Sequence, residues 1–171
     1  MDNIKGVLRV GKVSAVYPEK ATARVVFEAH NLVSYELSVL QTQTLKNRAY
    51  WMPDVGEYVL CAFLPTGNAS GFVLGSLYSA NNEPDLKTND KRAMLFDDGT
   101  YIEYDRAQHL LTVNVPAGAV NINVNGPVNI AATENVNVTG DVIADGISLK
   151  NHVHPENDSG GPTDPPQRGE E

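Results

Sequence analysis

The stretch Val120-Asn121-Ile122-Asn123-Val124-Asn125-Gly126-Pro127-Val128-Asn129-Ile130-Ala131-Ala132-Thr133-Glu134-Asn135-Val136-Asn137-Val138-Thr139-Gly140-Asp141-Val142 decides the fold. Its even positions are mostly apolar or small and its odd positions mostly polar, and the phase runs on to Ala144 and Asp145. It survives two apparent breaks, at Gly126-Pro127 and Thr133-Glu134; Glu134 and Ile143 are the clear exceptions. A period of two gives an extended chain one dry face and one wet face. The dry face is narrow and built from β-branched side chains. One chain offers too little apolar surface here to offset an ordering cost of ~1–2 kcal/mol per residue, so the stretch needs partners.

Two assemblies supply them. A single-chain solenoid stacks repeats of one chain, but this run makes only a few turns, has no evident hexapeptide period and has nothing to cap its ends. An intertwined oligomer lets identical chains wrap a shared apolar axis. Three is the natural number, because three narrow valine faces close a prism with a filled interior. An Asn-rich disordered tail is the competing reading; the strict valine phase counts against it, since disordered segments lack β-branched periodicity.

Further on lies Asn151-His152-Val153-His154-Pro155. In an extended segment residues i and i+2 point to the same side, so His152 and His154 share a face. Two imidazoles from one chain make a weak metal site. Three chains on a threefold axis would present six neutral imidazole nitrogens, an octahedral set that suits a divalent iron-like ion better than tetrahedral zinc. With every position filled by protein, such an ion is structural, and metal binding couples to assembly. A solvent-exposed pair at the start of a tail is the plain alternative. Residues 155–171, rich in Gly, Pro and acidic residues, read either as a disordered tail or as a segment that folds back over the tip. His30 and His109 stand alone in strand-like contexts and read as ordinary structural or surface histidines.

The N-terminal part reads as β strands bounded by turn residues. Gly6 to Tyr17 is a first strand ending at Pro18, Ala21 to Glu28 a second, and Leu32 to Leu40 a third with imperfect alternation. Val55 to Leu64 and Gly71 to Tyr78 are a fourth and fifth, with Pro65 to Ser70 as the turn between them. Five close strands suggest a small barrel of OB type, with Trp51, Tyr58, Phe63, Phe72 and Tyr78 as core candidates. A polar linker covers 81–92, and 93–119 reads as a short meander built around the turns Asp98-Gly99 and Asp105-Arg106-Ala107-Gln108. The expected organisation is therefore a barrel (1–80), linker (81–92), meander (93–119), intertwined stretch (120–150) and a His-x-His apex with tail (151–171).

Composition follows this division. Residues 1–92 carry ten basic and nine acidic side chains, whereas 93–171 carry three and twelve; the whole chain is at −8. All 12 aromatics lie at or before Tyr104, so the last 67 residues lack the large side chains that normally anchor a core. The acidic balance argues against nucleic acid, which needs clustered Lys and Arg. A lone Cys61 excludes an intrachain disulfide scaffold and a Cys-based zinc cage. No apolar run approaches the ~20 residues of a membrane helix, and Met1 to Gly6 lacks the apolar core of a signal peptide.

Three blocks carry a family likeness: Trp51-Met52-Pro53-Asp54-Val55-Gly56-Glu57-Tyr58-Val59 with Gly71-Phe72-Val73-Leu74-Gly75-Ser76-Leu77-Tyr78; Phe96-Asp97-Asp98-Gly99-Thr100-Tyr101-Ile102-Glu103-Tyr104-Asp105; and Gly146-Ile147-Ser148-Leu149-Lys150-Asn151-His152-Val153-His154. In this order they resemble the baseplate assembly protein V family, the central spike of contractile phage tails and related tail-like bacteriocins. The resemblance implies an all-β homotrimer: N-terminal OB-fold domains that join the tail hub and baseplate proteins, a triple-stranded β-helix, and a pointed, metal-bearing apex. In that family the His-x-His histidines of three chains hold one iron ion, which carries over to His152 and His154. The implied role is to pierce the host outer membrane when the sheath contracts. The implied location is the virion tail baseplate or the bacteriocin tip, after synthesis in the bacterial cytoplasm without a signal peptide.

Other classes are set against this. A secretion-system spike is the nearest neighbour in the same mechanical class. A nucleic-acid-binding OB domain would use Lys5, Arg9, Lys12 and Arg24, but a net charge of +1 over residues 1–92 is weak for that task. An enzyme is not expected: no Gly-x-Ser-x-Gly, P-loop, dinucleotide fingerprint or His-Glu-x-x-His occurs, and the adjacent Asp97 and Asp98 precede a turn glycine. A β-solenoid transferase would need a far longer repeat array.

Overall fold

The computed structural model describes residues 7–64, 70–155 and 161–164. Met1 to Gly6, most of the turn expected at Pro65 to Ser70, and the tail segments 156–160 and 165–171 lie outside the described residues. The chain divides into two compact units, Met1–Ala117 and Gly118–Glu171. It is all-β; among the described residues only two short 3-10 turns, Pro18–Lys20 and Glu28–His30, are helical.

In the first unit, β1 (Leu8–Tyr17), β2 (Thr22–Phe27), β3 (Leu32–Val33), β4 (Leu37–Val39), β5 (Tyr58–Phe63) and β6 (Gly71–Leu77) form one sheet in the order β1-β5-β6-β4-β2-β3. An added β1–β2 pairing closes five of these strands into a barrel. All neighbours are antiparallel except β4 and β6, which pair in parallel through Ser38 with Phe72 and Val39 with Val73. A closed five-stranded barrel with this crossover is OB-fold-like. Register shifts between Val13 and Ala15 in β1 and between Leu60 and Cys61 in β5 supply the local bends that a small barrel needs.

The expected third strand is two strands. Between them Ser34 substitutes for the ladder: its N–H donates to Val25 O at 2.8 Å, and its Oγ accepts from Val25 N at 2.9 Å. β1 ends at Pro18 as expected, and Pro18 opens a 3-10 turn that closes on Ala21 in the left-handed region (φ 52°).

The barrel interior holds Val13, Ala23, Val25, Phe27, Leu37, Val59, Cys61 and Val73. The aromatic core expected from the sequence is therefore corrected. Trp51, Phe72 and Tyr78 are exposed, and Phe63 only packs against the edge of the cluster, with its ring 5.7 Å from that of Phe27. Strand parity is the cause. Val59 and Cys61 on β5 and Gly71 and Val73 on β6 point inward, which turns Phe72 out. The interior is also tight: a Cβ on Gly11 would lie 2.5 Å from Val25 Cγ1 and 2.6 Å from Val26 O. The guanidinium of Arg9 lies over the rings of Phe63 and Phe27, 5.2 and 5.8 Å from their centroids, a cation–π cover for this end of the core.

β7 (Lys91–Leu95), β8 (Tyr101–Asp105) and β9 (Leu110–Asn114) form an antiparallel meander. Its first turn is the expected one: Gly99 has φ 82°, and Thr100 N donates to Asp98 Oδ1 at 2.8 Å. One face carries the Lys91–Glu103 ion pair at 2.8 Å and the buried Asp105. By register the other face aligns Met94, Ile102 and Val113 in one row and Arg92, Tyr104 and Leu111 in the next. The five apolar and aromatic residues of that face are all exposed. His109 sits in the second turn with φ 54°, and His30 ends a 3-10 turn, so neither is in a strand.

In the second unit no strand pairing involves residues 118–142. A hairpin follows: β10 (Ile143–Ala144) pairs with β11 (Ile147–Ser148) around Asp145 (φ 50°) and Gly146 (φ 84°). Two central residues with positive φ make the turn whose twist matches a hairpin, and Asp-Gly is its preferred pair. The alternation breaks at Ile143 because the chain turns back there.

Candidate functional site

The second unit presents two features that one chain leaves open. The first is the apolar row. Val120, Ile122, Val124, Val128, Ile130, Val136, Val138 and Val142 are between 41% (Val142) and 75% (Ile130) exposed. These are the residues of the dry phase read from the sequence. Isolated exposed hydrophobics are ordinary; a periodic series of them is a candidate interaction surface.

The second is the histidine pair. The hairpin delivers the chain into a turn at 149–151, and His152 N donates to Ser148 O at 3.1 Å. The rings of His152 and His154 come together, with centroids 5.2 Å apart and planes at 87°. Nδ1 of His152 lies 3.1 Å from Ser148 O and 3.0 Å from Leu149 O. Carbonyl oxygens only accept, so a hydrogen bond here requires the proton on Nδ1, which in a neutral ring leaves the lone pair on Nε2. That is the arrangement of a metal-ligating histidine, whose other ring nitrogen donates to a backbone carbonyl or carboxylate. His154 is held through its backbone: its N donates to Thr163 Oγ1 at 2.9 Å, and Thr163 N donates to His154 O at 2.9 Å. These two bonds bring residues 161–164 back to the histidine segment.

Among the described residues no group of three His, Cys, Asp or Glu side chains gathers within the single chain. One chain contributes two imidazoles, a donor set that fits a divalent metal chemically but does not by itself surround one.

A third group went unmarked in the sequence. Asp141 Oδ1 accepts from Val142 N at 2.8 Å and Lys150 N at 3.1 Å, while Oδ2 accepts from Ser148 Oγ at 2.5 Å. These hydrogen bonds, the one from Ser148 foremost, hold its carboxyl below the usual carboxylate range. In sequence Asp141 is one more polar residue of the wet phase. Only the hairpin register at Asp145-Gly146 brings it to Ser148.

No family model matches the chain. A 69-residue part of it is 35% identical to the Spike protein of Escherichia phage P2. Part of this chain is similar to a phage spike. The similarity covers 40% of the chain and 33% of that relative, so the chain spans about a third of the relative it matches. Cys61 is buried in the barrel, and desolvation pushes its thiol up to about 11.

Proposed function

We propose that three copies of this chain wind together along residues 120–142 into a triple-stranded β-helix. They form the spike at the tip of a contractile phage tail baseplate or tail-like bacteriocin. The observation that carries this reading is the periodic apolar row, exposed from Val120 to Val142 in the single chain. Burying one such side chain contributes roughly 1.5–3 kcal/mol, and identical chains around an axis bury every one at once. The exposed meander face of Met94, Ile102, Tyr104, Leu111 and Val113 adds to the surface that copies can cover. The similarity to a phage spike protein supports the tail role.

His152 and His154 of three copies supply six imidazole nitrogens to one iron ion. The ion acts as a structural tie where the valine seam ends, with no reaction routed through it. The barrel joins the hub and baseplate proteins. Penetration of the outer membrane is mechanical, driven by sheath contraction. A trimer carries 3 × (−8) = −24 charges, and an anionic object gains nothing electrostatically from an anionic bacterial surface. No helix of the described residues is long and apolar enough to cross a membrane.

Gold-labelled antibody against the chain, applied to contractile-tailed particles from the producing bacterium, is expected to mark the distal end of the tail. Particles unlabelled there contradict the role. Vesicles containing lipopolysaccharide should not retain the purified protein; tight spontaneous binding contradicts a mechanical mode of entry.

A further inference from the structure

The histidine pair does not hold its own geometry. One carboxylate, Asp141, ties the segments that flank and form the hairpin: Val142 N before it, Ser148 Oγ in β11 and Lys150 N after it. Leu149 N donates to Val142 O at 2.8 Å and completes the tie. The Ser148 hydroxyl donates to Asp141 Oδ2 and accepts from Asn151 N at 2.8 Å, so its direction is fixed at both ends. The carbonyls of Ser148 and Leu149, anchored by these bonds, are the two that face His152 Nδ1. A proton held on Nδ1 leaves Nε2 as the ligating atom, and orientation by such outer partners is worth about 10–100-fold in metal affinity. Across the pair, Thr163 clamps the backbone of His154 through a donor and an acceptor.

We infer that Asp141, Ser148 and Thr163 are positioning residues of the histidine pair. The Asp141–Ser148 tie sets the ring proton of His152 on Nδ1, and Thr163 sets the backbone at His154. The consequence for metal binding rests on the proposed ligand role of His152 and His154; the tautomer of His152 does not.

Two measurements on the full-length chain test this. The first is metal-free. Ring nitrogen NMR of His152 is expected to show Nδ1 protonated in the parent chain, a mixture of tautomers in Ser148→Ala, and the parent pattern restored in Ser148→Thr. Asp141→Asn, which keeps an oxygen for the backbone donors but loses the acceptor for Ser148, should shift the ring in the same direction and serves if Ser148→Ala does not fold. Identical ring signals in the parent chain and all variants overturn the inference.

The second uses ferrous iron as the probe. Loss of iron to a chelator should be about 10–100-fold faster in Ser148→Ala and Asp141→Asn than in the parent chain. Ser148→Thr should stay within about twofold of the parent, and Thr163→Val should be intermediate. Unchanged loss rates in chains whose iron depends on His152 overturn the positioning role. Iron retained in His152→Ala contradicts the ligand reading instead, and the ring signals then decide the inference alone.

Discussion

Residues 22–27 and 120–124 carry the same kind of pattern with opposite outcomes. In Thr22-Ala23-Arg24-Val25-Val26-Phe27, every second side chain is buried and Val25 is 0% exposed. In Val120-Asn121-Ile122-Asn123-Val124, the same alternation leaves Val124 55% exposed. The apolar face does not separate the two in favour of the first, because that of 120–124 is wholly β-branched whereas that of 22–27 is Ala23, Val25 and Phe27. The difference is closure. The first unit has five strands that pair in a ring, so each inward residue meets others from its own chain. Residues 118–142 form no strand and have no partner strand among the described residues. Alternation states that a face must be dry; only the number of available strands states which chain dries it.

The contrast is broken most severely by a charge on the exposed row. Val138→Asp should remove self-association, lowering the solution mass about threefold, while Trp51 fluorescence and the barrel's unfolding transition stay as they were. A variant that keeps its mass shows that this face is not covered by copies.

A cavity in the closed region should do the reverse. Leu37→Ala, at a fully buried position, should cost the barrel about 2–5 kcal/mol in urea unfolding and leave the mass unchanged. A loss well under that range would mean that the cluster around Leu37 is not the core.

Chemical protection sharpens the same line. With its thiol pushed up to about 11, Cys61 is thiolate in only about one molecule in a thousand at pH 8, and it is buried besides. A thiol reagent should leave Cys61 untouched until urea unfolds the barrel; rapid labelling of the native protein contradicts the packing described for β5.

The smallest effect belongs to the meander turn. The hydrogen bond from Thr100 N holds the Asp98 carboxyl below its usual range. A carboxylate with a depressed folded value stabilises the native state at pH above the ordinary carboxylate range, and that contribution is lost as pH falls through the depressed value. Asp98→Asn should therefore flatten a shallow acid-side loss of stability in thermal melts. An unchanged acid limb would show that the turn does not use the charge.

Much of the barrel was legible in the sequence, and the exceptions have local causes. The strand runs were readable because turn residues bracket each one. The split at Ser34 was not, because a side-chain hydroxyl there takes the place of a ladder bond. Large size alone suggests an inward aromatic core, but strand parity places Phe72 outward beside the inward Val73. Asp145-Gly146 was a hairpin signal within a run read as uniform. The role of Asp141 depends on that turn, because its link to Ser148 spans seven positions and exists only in the hairpin register. The histidine spacing was readable, but the choice of ring nitrogen depends on two carbonyls that no spacing rule indicates.

The central claim is that the apolar row from Val120 to Val142 is covered by two further copies of the same chain. Static light scattering on the purified full-length protein tests it most directly. The account predicts about 55.5 kDa, three times the 18.5 kDa of one chain. A mass of 18.5 kDa that does not rise with concentration would contradict it.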